Sequence, residues 1–404
     1  MRLVSYLRRR NVFQMAVLYA VAAWLIMPVA DLLMGVAASI SIQKPLAKNS
    51  LIGMLLAALF TMSPSAEARP GDPEVSQAVA PLFASHTPLL VTIEAPLTTL
   101  MKDRPLEEYL DGTFSFTGDD GTERTLDLKI RTRGKFRRKK KHCDFAPIRL
   151  NFRKKQVVDT EFAGQDKLKL VTHCKNNRSY YEQLVLREYF AYRAFSAMTN
   201  KSFGARLFQI NYVDTEGANP MTKLGFVIED DDDVAERNGM YSIKTGDISS
   251  DYLDRMEQNL VNVFQYLLGN TEYSLVRAEP GEYCCHNIDL MSATKGSPFT
   301  SLPYDFDFAG IVNAPYAEPN PRYEFRSVRH RLYRGLCANN DLLPGTIQRF
   351  LDKKNAIYGI IDELELFSSR SRRDMTRYLN AFYDDISQPK SVNAQFIKKC
   401  NDTL

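Results

Sequence analysis

Between residues 89 and 236, apolar positions recur mostly at every second residue, the period of a strand with one buried face. Leu126, Leu128 and Ile130 alternate with polar neighbours across 124–133. Segments 89–95, 112–117, 148–152, 168–171, 206–213 and 223–228 read as further strands. An Asp119-Asp120-Gly121 turn joins 112–117 to 124–133 as a hairpin. One stretch breaks the period. Over 180–198, Leu184, Leu186, Phe190, Tyr192 and Phe195 predict a helix, with Ser179 and Glu182 spaced as a capping box.

Beyond residue 237 the period lengthens. Apolar residues at 253, 256, 260, 263, 264 and 267 follow the 3.6-residue spacing of a helix over 252–268. Segments 344–367 and 374–386 read the same way, with Pro344 suited to a first helical turn. The intervening 269–337 is polar and irregular, apart from a strand pair at 285–290 and 299–304. Proline-rich 69–88 reads as a linker. The expectation is an α+β protein of two lobes, laid out like an atypical protein kinase. A β-rich first lobe would occupy 89–236 and a helical second lobe carrying the site 237–404.

The first 68 residues have a different character. Arg8-Arg9-Arg10 precede an apolar stretch over 12–30, long enough to span a bilayer. Lys44 and Lys48 precede a second one over 51–62, followed by Ser65-Ala66-Glu67-Ala68, the pattern of a secretory signal with its cleavage site. Residues 1–43 thus read as a membrane helix or an extension ahead of the true start, and 44–68 as a signal peptide. The cleavage pattern is the more complete, so the expected address is the periplasm or cell envelope, with membrane anchoring as the alternative. Charge sharpens this. The chain has 52 basic and 48 acidic residues, a net of +4. Residues 1–68 hold six basic and two acidic groups, which leaves 46 of each in the other 336 residues. A neutral working domain gives no argument for a nucleic-acid partner. All six cysteines (Cys143, Cys174, Cys284, Cys285, Cys337, Cys400) lie past the leader, an even count that fits an oxidising compartment. Disulfides, free thiols and a histidine-assisted zinc site all stay open at this stage, although no C-x2-C spacing organises zinc.

Candidate chemistry centres on Pro303-Tyr304-Asp305-Phe306-Asp307-Phe308-Ala309-Gly310. Two carboxylates two residues apart at a strand end face one side and form a hard oxygen pair suited to Mg²⁺ or Mn²⁺. The plain alternative is an acidic turn paired with Arg322, Arg326 or Arg329. With Asn270 and His286-Asn287 upstream, the segment resembles the CotH-like (spore coat protein H) family of atypical kinases, and more closely an exported bacterial branch of it. Arg131-Thr132-Arg133-Gly134, Lys167-Leu168-Lys169-Leu170, Glu182-Gln183 and Gly225-Phe226-Val227-Ile228-Glu229 fall in that family's order.

The resemblance implies a phosphotransferase using ATP with Mg²⁺ or Mn²⁺. Asp305 would be the metal-binding aspartate, assisted by Asp307, and Asn287 a second ligand of metal or phosphate. Lys167 or Lys169, held by Glu182 or Glu188, would contact the nucleotide phosphates, with Arg133 and Gly134 at the phosphate loop. Glu272 stands where the family places a catalytic aspartate. It also implies cysteine pairs Cys143–Cys174 and Cys285–Cys337. The acceptor would be an unidentified phosphoacceptor or envelope component. A non-catalytic pseudokinase serving as an envelope binding module, and a hydrolase pairing Glu272 with Asp305 or Asp307, are the alternatives. Eight of the eleven residues from Arg131 to Lys141 are basic, and Glu229–Asp233 form an acidic run. A solvated basic loop facing an acidic loop across a cleft is the expected reading of the two.

Overall fold

The alternating strands close on one another. The computed structural model describes residues 78–118 and 120–404, and these fall within one compact unit. In it β1 (Leu89–Ala95) is followed by α1 (Leu97–Asp103), β2 (Leu110–Thr117), β3 (Glu123–Thr132), β4 (Ile148–Phe152) and β5 (Lys167–Val171). After α2 (Tyr180–Ser196) come β6 (Ala205–Asp214) and β7 (Met221–Ile228). These seven strands form a closed barrel in the order β1-β2-β3-β4-β5-β7-β6. Every neighbouring pair is antiparallel except β1 and β6, which run parallel and close the ring, Leu89 opposite Phe208. Closure removes the free edges that an open sheet would expose.

The barrel interior is the face that the alternation marks. Leu126, Leu128 and Ile130 of β3 meet Leu150 and Ile148 of β4 and Leu168 and Leu170 of β5 in one buried cluster. Phe114 sits among Phe152 and Phe162, each with its ring centre 5.2 Å away and edge-on. Fully burying such side chains contributes about 1.5–3 kcal/mol each.

Besides short helical turns, the chain continues with α3 (Asp231–Arg237), β8 (Tyr241–Ile243), α4 (Arg255–Leu268), β9 (Ile288–Ser292) and β10 (Thr300–Pro303), then α5 (Leu343–Asp352), α6 (Lys354–Glu363), α7 (Ser369–Ser387) and α8 (Pro389–Gln395). Strands β10-β9-β8 form a small antiparallel sheet. A second hydrophobic core joins α2 and the outer faces of β6 and β7 to α4, β9, β10 and helices α5 to α7. Phe226 of β7 packs 5.7 and 5.5 Å from Tyr189 and Tyr192 of α2.

That core corrects the expected architecture. A two-lobed, kinase-like α+β fold divided near residue 236 requires an open first sheet and a separate helical lobe. Here the first sheet is a closed mixed barrel, and α2, assigned to the first lobe, shares one core with the C-terminal helices. Smaller departures have local causes. The helix expected over 344–367 breaks between Asp352 and Lys354 into α5 and α6. The acidic run is the capped start of α3, where Asp230 accepts from the Asp232 amide. Ser179 makes no capping bond. Glu182 is drawn away to Lys223 Nζ (3.3 Å) and the Leu224 amide (3.1 Å).

The disulfides are Cys143–Cys174, Cys284–Cys285 and Cys337–Cys400, with no free cysteine. The first agrees with expectation. Cys285–Cys337 does not form, because Cys337 meets the C-terminal segment, where Leu336 bridges to Asn401. Three disulfides fit an oxidising, exported environment. The membrane span and signal read over 12–30 and 44–68 lie outside the described residues. Among the described residues no helix is long and apolar enough to cross a membrane.

Candidate functional site

Strand register places the cationic wall of the site. Arg131 lies directly opposite Arg149, and Arg149 opposite Lys169, across β3, β4 and β5. Their neighbours Ile130, Leu150, Leu168 and Leu170 fill the barrel, so the three basic side chains share its outer face. Like charges directly opposite destabilise a sheet. Part of the charge is answered within the chain. Arg131 lies over the Tyr109 ring at 5.1 Å, and Lys169 Nζ is 4.0 Å from Asp231 Oδ1. Arg149 has no ion pair among the described residues. Arg133 follows at the end of β3, where its amide donates to Pro147 O (2.9 Å). Burial lowers its guanidinium pKa and the Asp305 carboxylate opposes that effect. The Nε atoms of Arg131, Arg133 and Arg149 are all buried without a hydrogen-bond partner.

The chain then turns through Gly134 at φ +78°, a left-handed conformation that suits glycine. It does not run out as a solvated loop. Arg137 turns inward, donates to Thr172 O, and lies 3.5 Å from Glu188 Oε2 and 3.8 Å from Asp307 Oδ2. Phe136 stacks on His142 (3.8 Å), meets Phe308 edge-on (5.1 Å) and packs at a tilt against Tyr316 (5.8 Å). The Cys143–Cys174 bond and the Phe145 amide on Cys174 O (3.0 Å) fix the loop to the end of β5. Lys135, Lys139, Lys140 and Lys141 keep the expected exposure, Lys135 while paired with Glu279 Oε2 (2.8 Å) and Glu282 Oε1 (2.6 Å).

The acidic wall comes from the loops around the small sheet. Gly269 ends α4 at φ +63°, and the buried Asn270 beyond it accepts from the Glu272 amide (2.9 Å). Glu272 Oε1 lies 3.7 Å from His286 Nε2, and Glu279 Oε1 lies 3.2 Å from His286 Nδ1. The Glu272 bond, working against burial and aided by Glu279 and Asp305, raises the His286 pKa above its ordinary value. Asn287 Nδ2 donates to Glu272 O (2.7 Å), and its carbonyl receives the Tyr304 amide (3.1 Å). Asp305 is exposed and left-handed at φ +57°, its amide held by the Tyr192 hydroxyl (2.9 Å). Aspartate tolerates that conformation, and such residues cluster at functional sites. Asp289 on β9 completes the wall. Burial and Asp231 push it up to about 6 against Lys169 and Lys244.

Among the expected site residues, Asp305, Asn287, Glu272, Lys169 and Arg133 therefore fall in one neighbourhood, the candidate cleft: Arg133 and His286 feel the Asp305 charge, Glu272 and Asn287 are bonded around His286, and Lys169 Nζ lies 5.8 Å from the ring of Tyr304 beside Asp305. Asp307 is set behind it, buried, accepting from the Tyr316 hydroxyl (3.1 Å) and facing Arg137. Burial and the Asp305 charge push Asp307 up to about 7, and burial with Asp307 raises Glu188 well above the usual carboxylate range. Glu188 holds Arg137 rather than a lysine. Glu182 lies apart with Lys223, and Lys167 is exposed beyond Lys169. The expected metal centre of Asp305, Asp307 and Asn287 is corrected as well. Among the described residues no group of three or more His, Cys, Asp or Glu side chains stands ready to hold a metal ion. Arg137 already supplies the positive charge that Asp307 and Glu188 need.

Arg137, Arg149, Asp231, Asp289, Tyr192 and Tyr316 were not legible as site residues. An outward arginine on an alternating strand looks like ordinary solvated surface, and only the cross-strand register brings Arg149 between Arg131 and Lys169. No protein-family model matches the chain, and no curated protein matches it.

Proposed function

We propose that the cleft binds the phosphates of a nucleotide against Arg133, Arg149 and Lys169 and transfers a phosphoryl group, as the resemblance to CotH-like proteins implies. One observation carries this reading: three buried arginine Nε donors along a basic strip have no partner. An unsatisfied buried donor costs about 1–3 kcal/mol, and a phosphate oxygen would remove that cost. The exposed Asp305 stands on the facing wall. Mg²⁺ characteristically takes one or two carboxylates together with substrate phosphates, so it would enter with ATP opposite Asp305 and neutralise phosphate charge. Glu272 would take the proton of an acceptor hydroxyl. The acceptor oxygen then bonds to the γ-phosphorus as the bond to the bridging oxygen breaks, and ADP departs. A binding-only role is the second reading, favoured by Arg137 occupying the space between Glu188 and Asp307.

ATP titrated into the full-length chain, with and without Mg²⁺, tests both readings by thermal melt and calorimetry. ATP is expected to stabilise the chain, and Arg149→Gln to weaken binding about tenfold or more, the worth of one charge-assisted hydrogen bond. Transfer of γ-phosphate to an envelope fraction is expected to vanish in Asp305→Asn. Binding without transfer selects the second reading. Failure of ATP to bind at all overturns both.

A further inference from the structure

A separate cleft of about 700 Å³ opens where α7 begins, bounded by α2 on its other side. Arg370, Arg373 and Arg377 line it at helical spacings of three and four residues, which puts them on one face. Among the described residues none of the three pairs with a carboxylate, and all are exposed. Arg187 of α2 forms the floor at 3% exposure. Its Nη1 donates to Asp374 Oδ2 (2.8 Å), Ile311 O (3.3 Å) and Val312 O (3.5 Å), while its Nε has no partner. Asp374 also receives Arg329 Nη1 (3.0 Å), so its charge is already engaged by two arginines. Four arginines thus line the cleft against one committed carboxylate. The N-terminus of the 19-residue α7 adds the positive end of its dipole, with Ser368 Oγ capping only the Ser371 amide (3.2 Å).

We propose that this cleft is a second anion site that binds a phosphate group, presented as a free phosphate ester or as a phospholipid headgroup. The chemistry fits a tetrahedral dianion. Planar guanidinium forks match phosphate oxygens in pairs, and the buried Arg187 Nε with the first-turn amides would take the rest. A monocarboxylate would leave most of that positive charge unanswered. The site shares no lining residue with the cleft at Asp305.

The test uses full-length Arg149→Gln, which weakens the first cleft so that remaining binding reports the second. Inorganic pyrophosphate is titrated by calorimetry at constant ionic strength, and phosphatidylcholine vesicles with and without phosphatidic acid are used for co-sedimentation. Pyrophosphate is expected to bind, and adding Arg373→Gln and Arg377→Gln to weaken it about 100-fold, near tenfold for each lost charged hydrogen bond. These arginines are exposed, so the variants keep the fold, which a matching melt confirms. Pyrophosphate binding that the double change abolishes identifies a soluble phosphate ester. Sedimentation only with phosphatidic acid, abolished by the same change, identifies a headgroup. Neither probe binding, or binding indifferent to the two arginines, overturns the proposal whatever ATP does at Arg149.

Discussion

At the scale of single residues, Asp307 is the most informative group. It sits behind the cleft at 5% exposure with Arg137 and Glu188, and burial and Asp305 push it up to about 7 from an ordinary 3.8. An acid with a raised native pKa keeps a proton that the unfolded chain has lost. Its contribution is therefore fully favourable below the unfolded value and is lost as pH rises from about 4 to about 7. Asp307→Asn keeps the shape and cannot ionise. Its melting temperature is expected to vary less than the wild type's between about pH 5 and pH 8, and to exceed it above about pH 7. Equal pH dependence in the two proteins would sink this assignment. The D-x-D spacing pointed to these carboxylates but misjudged their relation. Alternation puts residues 305 and 307 on one side only while the chain stays extended, and β10 ends at Pro303. The left-handed turn at Asp305 sends the first carboxylate to solvent and the second inward.

Among the elements, the strands were the most legible part of the chain, because each barrel strand buries one face and shows period two. β1 and β4 have the boundaries that the alternation marks. The helices divide by how they are capped. Asp254 begins α4, its side chain accepting from the Glu257 amide at 2.9 Å, whereas the side chain of Ser179 before α2 caps nothing. Asp254→Ala is expected to cost about 1 kcal/mol, and Ser179→Ala to leave stability within about 0.5 kcal/mol, in urea denaturation. A reversed order would show that the Ser179–Glu182 box forms after all. Sequence spacing could not settle this, since Glu182 has a competing use at the Leu224 amide, far along the chain. Helix α2 hid its character for a related reason. It buries Arg187 and Glu188 side by side, one toward α7 and one toward Arg137, so its charged positions do not mark a solvent face.

For the molecule as a whole, the expected two lobes dissolve because one apolar cluster runs from α2 through α4 to the last helices. Nothing local announces such a core, since each helix carries the same amphipathic pattern whichever neighbour it covers. Two disulfides act on this architecture at different places. Cys143–Cys174 closes 31 residues and pins the loop that carries Arg133 and Arg137 to β5. Cys337–Cys400 closes 63 residues and ties the chain end beside Leu336. Loop-closure entropy makes each worth about 3–4 kcal/mol, slightly more for the longer loop. Their functional weights should nevertheless differ. Replacing Cys337 and Cys400 by alanine is expected to lower urea stability by about 2–4 kcal/mol and to leave the proposed ATP binding near its wild-type strength. Replacing Cys143 and Cys174 is expected to cost a similar stability and, on the function proposed above, also to weaken ATP binding, because the freed loop would have to be ordered again around the phosphates. Measuring urea midpoints and ATP affinity on both double variants separates the two effects. If the Cys143–Cys174 variant bound ATP as tightly as the other, Arg133 would not be part of a site held in place by its loop.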